Sequence, residues 1–128
     1  MTQGTIKKFT DLVAWQEAHV LVLLIYKTTA HFPADERFGI TNQMRRAVIS
    51  ITSNIAEGFG RETAKDKAHF YTMAKTSLAE LENQGIAARD LKYMNTESFT
   101  LFEQQAEKVN RLLAGLYKSA TLVSRSHT

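Results

Sequence analysis

Between Phe99 and Ala120 an apolar residue returns after three positions, then four, without a break: Phe99, Phe102, Ala106, Val109, Leu113, Leu116, Ala120. A helix of about 3.6 residues per turn keeps all seven on one face for about six turns, and Leu112 and Tyr117 widen the stripe. A strand would send alternate members to opposite sides. Such a helix cannot bury its stripe alone and needs helical neighbours. Three other stretches supply them, and the pattern predicts helices over about 11–30, 41–57, 64–91 and 96–120. Short connections between them predict one all-α domain over 1–128, an up-down-up-down antiparallel four-helix bundle. Residues 121–128 lose the periodicity and are expected to form a flexible tail. No internal repeat or low-complexity tract interrupts this plan.

Local signals mark the helix ends. Phe9-Thr10-Asp11 places a hydrophobic residue before capping side chains, and Thr41 is the expected cap of the second helix. Thr63-Ala64-Lys65-Asp66 resembles a capping box, and Asn95 or Thr96 caps the fourth helix. Pro33 and Gly39 punctuate the first connection. In the first helix, Leu12, Trp15, His19, Val22, Leu23 and Tyr26 share a face, yet Val20, Leu21, Leu24 and Ile25 are apolar as well. A helix that is greasy nearly all round is buried all round, so a subunit interface is the economical expectation. The third helix carries the seam Tyr71, Ala74, Leu78, Leu81, Gly85, Ala88. Gly85 costs about 1 kcal/mol there relative to alanine, which points to a close helix crossing.

The second helix has two organised faces. Met44, Ala47, Val48, Ile51 and Ile55 form its apolar stripe. Opposite them stand Arg46, Ser50, Ser53 and Glu57, with Asn42 and Asn54 at the margins. Small hydroxyls between lone opposite charges suit close, specific contact rather than a solvated surface. Arg46 and Glu57 lie roughly 16 Å apart by helix rise and cannot pair with each other. Each therefore needs its own partner in a neighbouring helix, a neighbouring subunit or a ligand. Gly58-Phe59-Gly60 reads as the helix terminator.

Chemistry is sparse. With no cysteine there are neither disulfides nor thiolate metal sites. Asp66 and His69 stand three apart, but no second such pair accompanies them, and His19 and His31 lie elsewhere, so no metal site is expected. Ser50 and Ser53 have no histidine at a predictable neighbouring position, and Glu80 and Glu82 cannot face each other on one helix. No catalytic residue and no cofactor follow. The apolar run Val20 to Tyr26 falls far short of the roughly 20 residues that span a bilayer, and no targeting segment is recognisable, so the expectation is a cytoplasmic protein with no membrane role. Net charge is +3 and the pI near 9.3, which permits contact with RNA or DNA. The candidate phosphate contacts are Arg61 and Lys65 at the start of the third helix, with Arg45 on the second.

One family shares these landmarks. Phe9-x-Asp11-Leu12-x-x-Trp15-Gln16, Phe32-Pro33 with Glu36 and Gly39, and Gln43-x-Arg45-Arg46-Ala47 are three of them. Ser53-Asn54-Ile55-Ala56-Glu57-Gly58, Gly60-Arg61 and Leu78-x-Glu80-Leu81-Glu82-x-Gln84 complete the set. Over about Phe9 to Tyr93 the chain resembles the bacterial four-helix-bundle proteins named for the intervening sequences of 23S ribosomal RNA genes. The resemblance implies a four-helix bundle and a homo-oligomer, a pentameric ring by analogy with related proteins. It also implies a signature set of Arg46, Ser53, Asn54, Glu57 and Gly58. By analogy with distant relatives of the same fold it further implies binding to nucleic acid or to a nucleic-acid-handling protein. Two functions are thus expected as alternatives: a non-enzymatic accessory protein associated with nucleic acid, or a structural and protein-interaction module whose signature serves folding and assembly.

Overall fold

The computed structural model describes the backbone of residues 5–126 and the side chains of 5–122. A 3-10 turn at Phe9–Asp11 leads into α1 (Val13–Thr29), and a second at Ala34–Glu36 leads into α2 (Ile40–Phe59). Helices α3 (Ala64–Asp90) and α4 (Thr96–Ser126) follow. The four pack in chain order around a square, α1 against α2 and α4, and α3 against α2 and α4. Neighbouring helices meet in opposite senses along each pair. Gly58 meets Tyr71 while Ser50 meets Ser77, and Gly85 meets Phe102 while Arg89 lies over Phe99. The bundle is therefore up-down-up-down, as the periodicity requires. No helix among the described residues is long and apolar enough to cross a membrane.

Helix ends explain where the boundaries fall. Thr63 caps α3 by accepting the Asp66 N–H at 3.1 Å, and Asn95 Oδ1 accepts the Ser98 N–H at 2.8 Å. Asp11 serves the turn before α1 rather than α1 itself. Its carboxylate accepts the N–H groups of Lys7 and Lys8, which hold its pKa below the ordinary value. Thr41 is not the cap of α2 but a buried residue inside it. The cap position falls to Gly39, and Glu36 reaches back to the Ile40 N–H at 3.5 Å. Glu36 also accepts the Tyr93 hydroxyl at 2.7 Å, tying the α1–α2 and α3–α4 connections together at one end of the bundle. Beyond Ala120 no glycine or proline stops α4, and it continues to Ser126 where the sequence pattern predicts a tail. The last two positions of that expected tail, 127 and 128, lie outside the described residues. At the end of α3, Lys92 adopts a left-handed φ of 68°. The N–H groups of Lys92 and Tyr93 then close on the carbonyls of Arg89 and Ala88, the usual glycine-type helix stop made here by lysine.

Every member of the apolar stripe of α2 is buried, as are Tyr71, Ala74, Leu78, Leu81, Gly85 and Ala88 of α3. In α4, Phe99, Phe102, Ala106, Val109, Leu113 and Ala120 are buried, with Leu116 packed against the core. The expected face of α1 is wrong in part. Its buried residues are Ala14, Ala18, Leu21, Val22, Ile25 and Thr29, whereas Leu23, Tyr26 and His19 are exposed and Trp15 sits at the margin. Small alanines let α1 approach its neighbours, and apolar residues on every side leave no single periodicity to read.

Gly85 supplies the close crossing that its position demands. A Cβ there would stand 2.7 Å from Cζ of Phe102 and closer still to Cε2, so the ring lies flush on the α3 backbone. Gly85→Ala should therefore destabilise the chain by about 1–2 kcal/mol, the overpacking cost outweighing the gain in helix propensity. Gly115, exposed on α4 with nothing within 4 Å of a built Cβ, provides the opposite case. Gly115→Ala should stabilise by about 0.5–1 kcal/mol. Urea denaturation of both variants checks the pair of signs.

Candidate functional site on the second and third helices

The polar stripe of α2 faces α3 with short side chains that meet directly. The Ser50 and Ser77 hydroxyls are 2.8 Å apart, and the Asn54 amide donates to the Ser50 carbonyl at 2.9 Å and to its hydroxyl at 3.1 Å. Asn54 is buried, so these bonds satisfy a group that could not otherwise be placed there. Neither serine is poised as a nucleophile; both act as struts between helices. Ser53 lies outside this network and is exposed. One turn of α3 beyond Glu80, Gln84 is buried and its amide oxygen has no partner among the described residues. Arg46 is exposed between two shallow grooves, one shared with Tyr26, Asn42, Arg45 and Ile49, the other with Gln43, Ala47 and Glu80. Among the described residues it makes no hydrogen bond or ion pair.

The cations expected to meet phosphate have different settings. Arg45 closes the end of α1: its Nε donates to the Thr29 hydroxyl at 2.9 Å and its Nη2 to the Tyr26 carbonyl at 3.4 Å. The guanidinium also lies over the Tyr26 ring, 4.7 Å from the centroid. Arg61 donates to Glu57 at 3.0 Å and lies 4.5 Å over the Phe70 ring. Glu57 thus finds its partner four residues on in its own chain, and two expected sites collapse into one surface pair. Lys65 is exposed and makes no ion pair among the described residues. Sequence reasoning passed over Lys67, whose ammonium donates to the carbonyls of Phe59 at 2.7 Å and Gly58 at 3.4 Å. A cation on the last carbonyls of a helix is favoured by both hydrogen bonding and the helix dipole. The signal was present in the sequence as a basic residue one turn into a helix that follows a tight loop.

Gly58 is not a terminator. Helix α2 runs through it to Phe59, and the Tyr71 ring occupies the space where a side chain would project, 2.7 Å from a built Cβ. His19 and His69 are placed against aromatic neighbours. His19 stacks on Trp15 at 4.8 Å, and His69 meets the edge of Phe70 at 5.5 Å. No group of three metal-ligating side chains occurs among the described residues. Two acidic residues facing α4 have shifted titration. Burial pushes the Glu82 carboxyl up, helped by the Glu103 charge on α4. The Gln105 amide, with Lys108 beside it, holds Glu17 below its ordinary value.

These features define a class of protein: an antiparallel helical bundle whose second helix meets the third through Ser50 and Ser77 and carries the rest of its polar stripe at the surface. The chain belongs to the 23S rRNA-intervening sequence protein family, whose model matches residues 10–115. It is similar in fold to the crystal structure of a protein of unknown function from the S23 ribosomal protein family of Bacteroides thetaiotaomicron VPI-5482. The TM-score is 0.77 at 19% identity, and the match covers 83% of this chain and 99% of that one. No curated protein matches the sequence.

Adjacent signature residues should respond differently to truncation. Glu57→Ala removes a surface ion pair with both side chains about half exposed and should change stability by less than about 0.5 kcal/mol. Gly58→Ala forces a methyl into the Tyr71 ring and should cost about 1–3 kcal/mol. Thermal and urea unfolding of the two variants separates the roles.

Proposed function

We propose that this chain is a non-enzymatic assembly module that self-associates into a closed homo-oligomer through the outward face of α1, in a cytoplasmic setting. One observation carries the reading. Val13, Val20 and Leu23 recur at helical spacing with 55%, 47% and 59% of their surface exposed, next to exposed Tyr26 and, across on α2, Ile49. Exposed apolar residues scattered singly need no explanation, but an aligned row flanked by more of its kind marks a contact surface. A single heterologous contact repeated by rotation closes into a ring, and five members is the number that the family resemblance implies. Light scattering at micromolar concentration should return a mass several times 14.4 kDa. Val20→Glu combined with Leu23→Glu should return the monomer mass with helicity unchanged. A monomeric wild-type chain would overturn the reading.

A second reading, nucleic-acid association, draws support from the family's link to ribosomal RNA genes and from two exposed cations, Arg46 and Lys65, that have no ion pair among the described residues. Repetition around a ring would multiply the net charge of +3 into a multivalent, phosphate-led surface. Under this reading the affinity for mixed RNA and DNA oligonucleotides falls steeply with salt. Changing Arg46 and Lys65 to alanine should lower the slope by about one for each phosphate no longer neutralised. Arg45→Ala and Arg61→Ala should act more on stability than on the slope, since both guanidinium groups are already engaged. An oligomer that binds neither nucleic acid at low salt leaves assembly as the whole function.

A further inference from the structure

A cleft opens beside the first turns of α3, away from both the α1 face and the polar stripe of α2. Its wall is formed by Glu62, Ala64, Lys67, Tyr71, Leu116 and Ala120, with Ser119 at the edge, and its volume is about 240 Å³. Leu116, Ala120, Ala64 and the Tyr71 ring make this wall mainly apolar. Tyr71 is 4% exposed, yet its hydroxyl makes no hydrogen bond among the described residues. Burial pushes the hydroxyl pKa up, so it remains a donor across the physiological range. The hydroxyl oxygen is not sealed off from the cleft, so an acceptor placed there, from water or from a ligand, can reach it. Lys67 also faces the cleft. Two of its three ammonium protons are directed to the carbonyls of Gly58 and Phe59, and one is left. The N-terminus of α3 adds partial positive charge from Ala64 onward.

We propose that this cleft is a binding site for a small organic monocarboxylate with a short apolar tail. The carboxylate accepts from the Tyr71 hydroxyl and the Lys67 ammonium, and the tail lies along Leu116, Ala120 and Ala64. The volume holds about eight non-hydrogen atoms at roughly 30 Å³ each, the size of a six-carbon acid. Glu62 also lines the cleft, and its negative charge opposes each carboxylate a ligand brings, so a dicarboxylate is disfavoured relative to a monocarboxylate.

Hexanoate is the probe, followed by amide chemical shifts on the full chain. Expected are saturable shifts clustered at residues 62–71 and 116–120, an affinity about tenfold weaker for 1-hexanol, and weaker binding for adipate. Tyr71→Phe keeps the ring that packs on Gly58 and should weaken hexanoate about tenfold, the loss of one hydrogen bond to a charged group. Equal binding by wild type and Tyr71→Phe would overturn the site. So would equal binding of hexanol, or shifts that are absent or scattered over the surface. Adipate binding as tightly as hexanoate would remove the role given to Glu62. All of these readouts are independent of the oligomeric mass.

Discussion

Two aromatic rings set directly against helix backbone at glycine hold α3 close to its neighbours, and the bundle depends on those contacts. Tyr71 projects from α3 onto Gly58 of α2, and Phe102 projects from α4 onto Gly85 of α3. Each glycine costs its helix about 1 kcal/mol in propensity, and each returns a close approach that no other residue permits. Close approach of α2 and α3 accompanies the Ser50–Ser77 hydroxyl contact at 2.8 Å. With bulkier residues at either glycine, α3 would move outward and the hydroxyl contact would open to water. The polar stripe is thus a consequence of the glycine contacts as much as a feature of its own.

A second organising rule concerns charge. The first two helices each end under a basic side chain from the helix that follows, Arg45 over α1 and Lys67 over α2. Arg61, just past the end of α2, is held by Glu57 and Phe70. Cations engaged in this way are poor candidates for counterion release, since each would surrender an existing partner to meet a phosphate. A net charge of +3 therefore overstates what this surface offers to nucleic acid. That reading rests on exposed cations without an ion pair among the described residues, Arg46 and Lys65 together with Lys27, Lys75, Lys92 and Lys118.

Much of the fold was legible because helical periodicity survives wherever a helix has one buried face. The stripes of α2 and α4 and the seam of α3 were readable residue by residue, and Gly85 betrayed its crossing by its cost. In α1 the same logic failed, because apolar residues on all sides erase the phase that locates a core. Contacts between distant residues were beyond reach altogether. Arg45 with Thr29, Tyr93 with Glu36 and Glu82 with Glu103 depend on which helices are neighbours and in what register. The pairing of Glu57 with Arg61 was hidden for a different reason. Gly58 read as a helix stop, whereas α2 runs on to Phe59 and a helical Gly60 cap, which leaves Arg61 one turn beyond Glu57 and within its reach.

The exposed row on α1 is a part of the described molecule that intramolecular forces do not explain. Leucine, lysine and glutamate have similar intrinsic helix propensities, so nothing within the helix favours Leu23 over a charged residue in water. Valine is a weaker helix former, its branched Cβ losing rotamer freedom against the preceding turn, and Val13 and Val20 incur that cost in exposed positions. Their hydrophobic benefit in the isolated chain is small because half of each side chain stays hydrated. Meanwhile the inner face of α1 sets Ala14 and Ala18 beside Leu21, Val22 and Ile25, and Val13, Val20 and Leu23 stay outside. Helix α1 thus has the composition of a helix between two packed surfaces, while the single chain supplies only one of them.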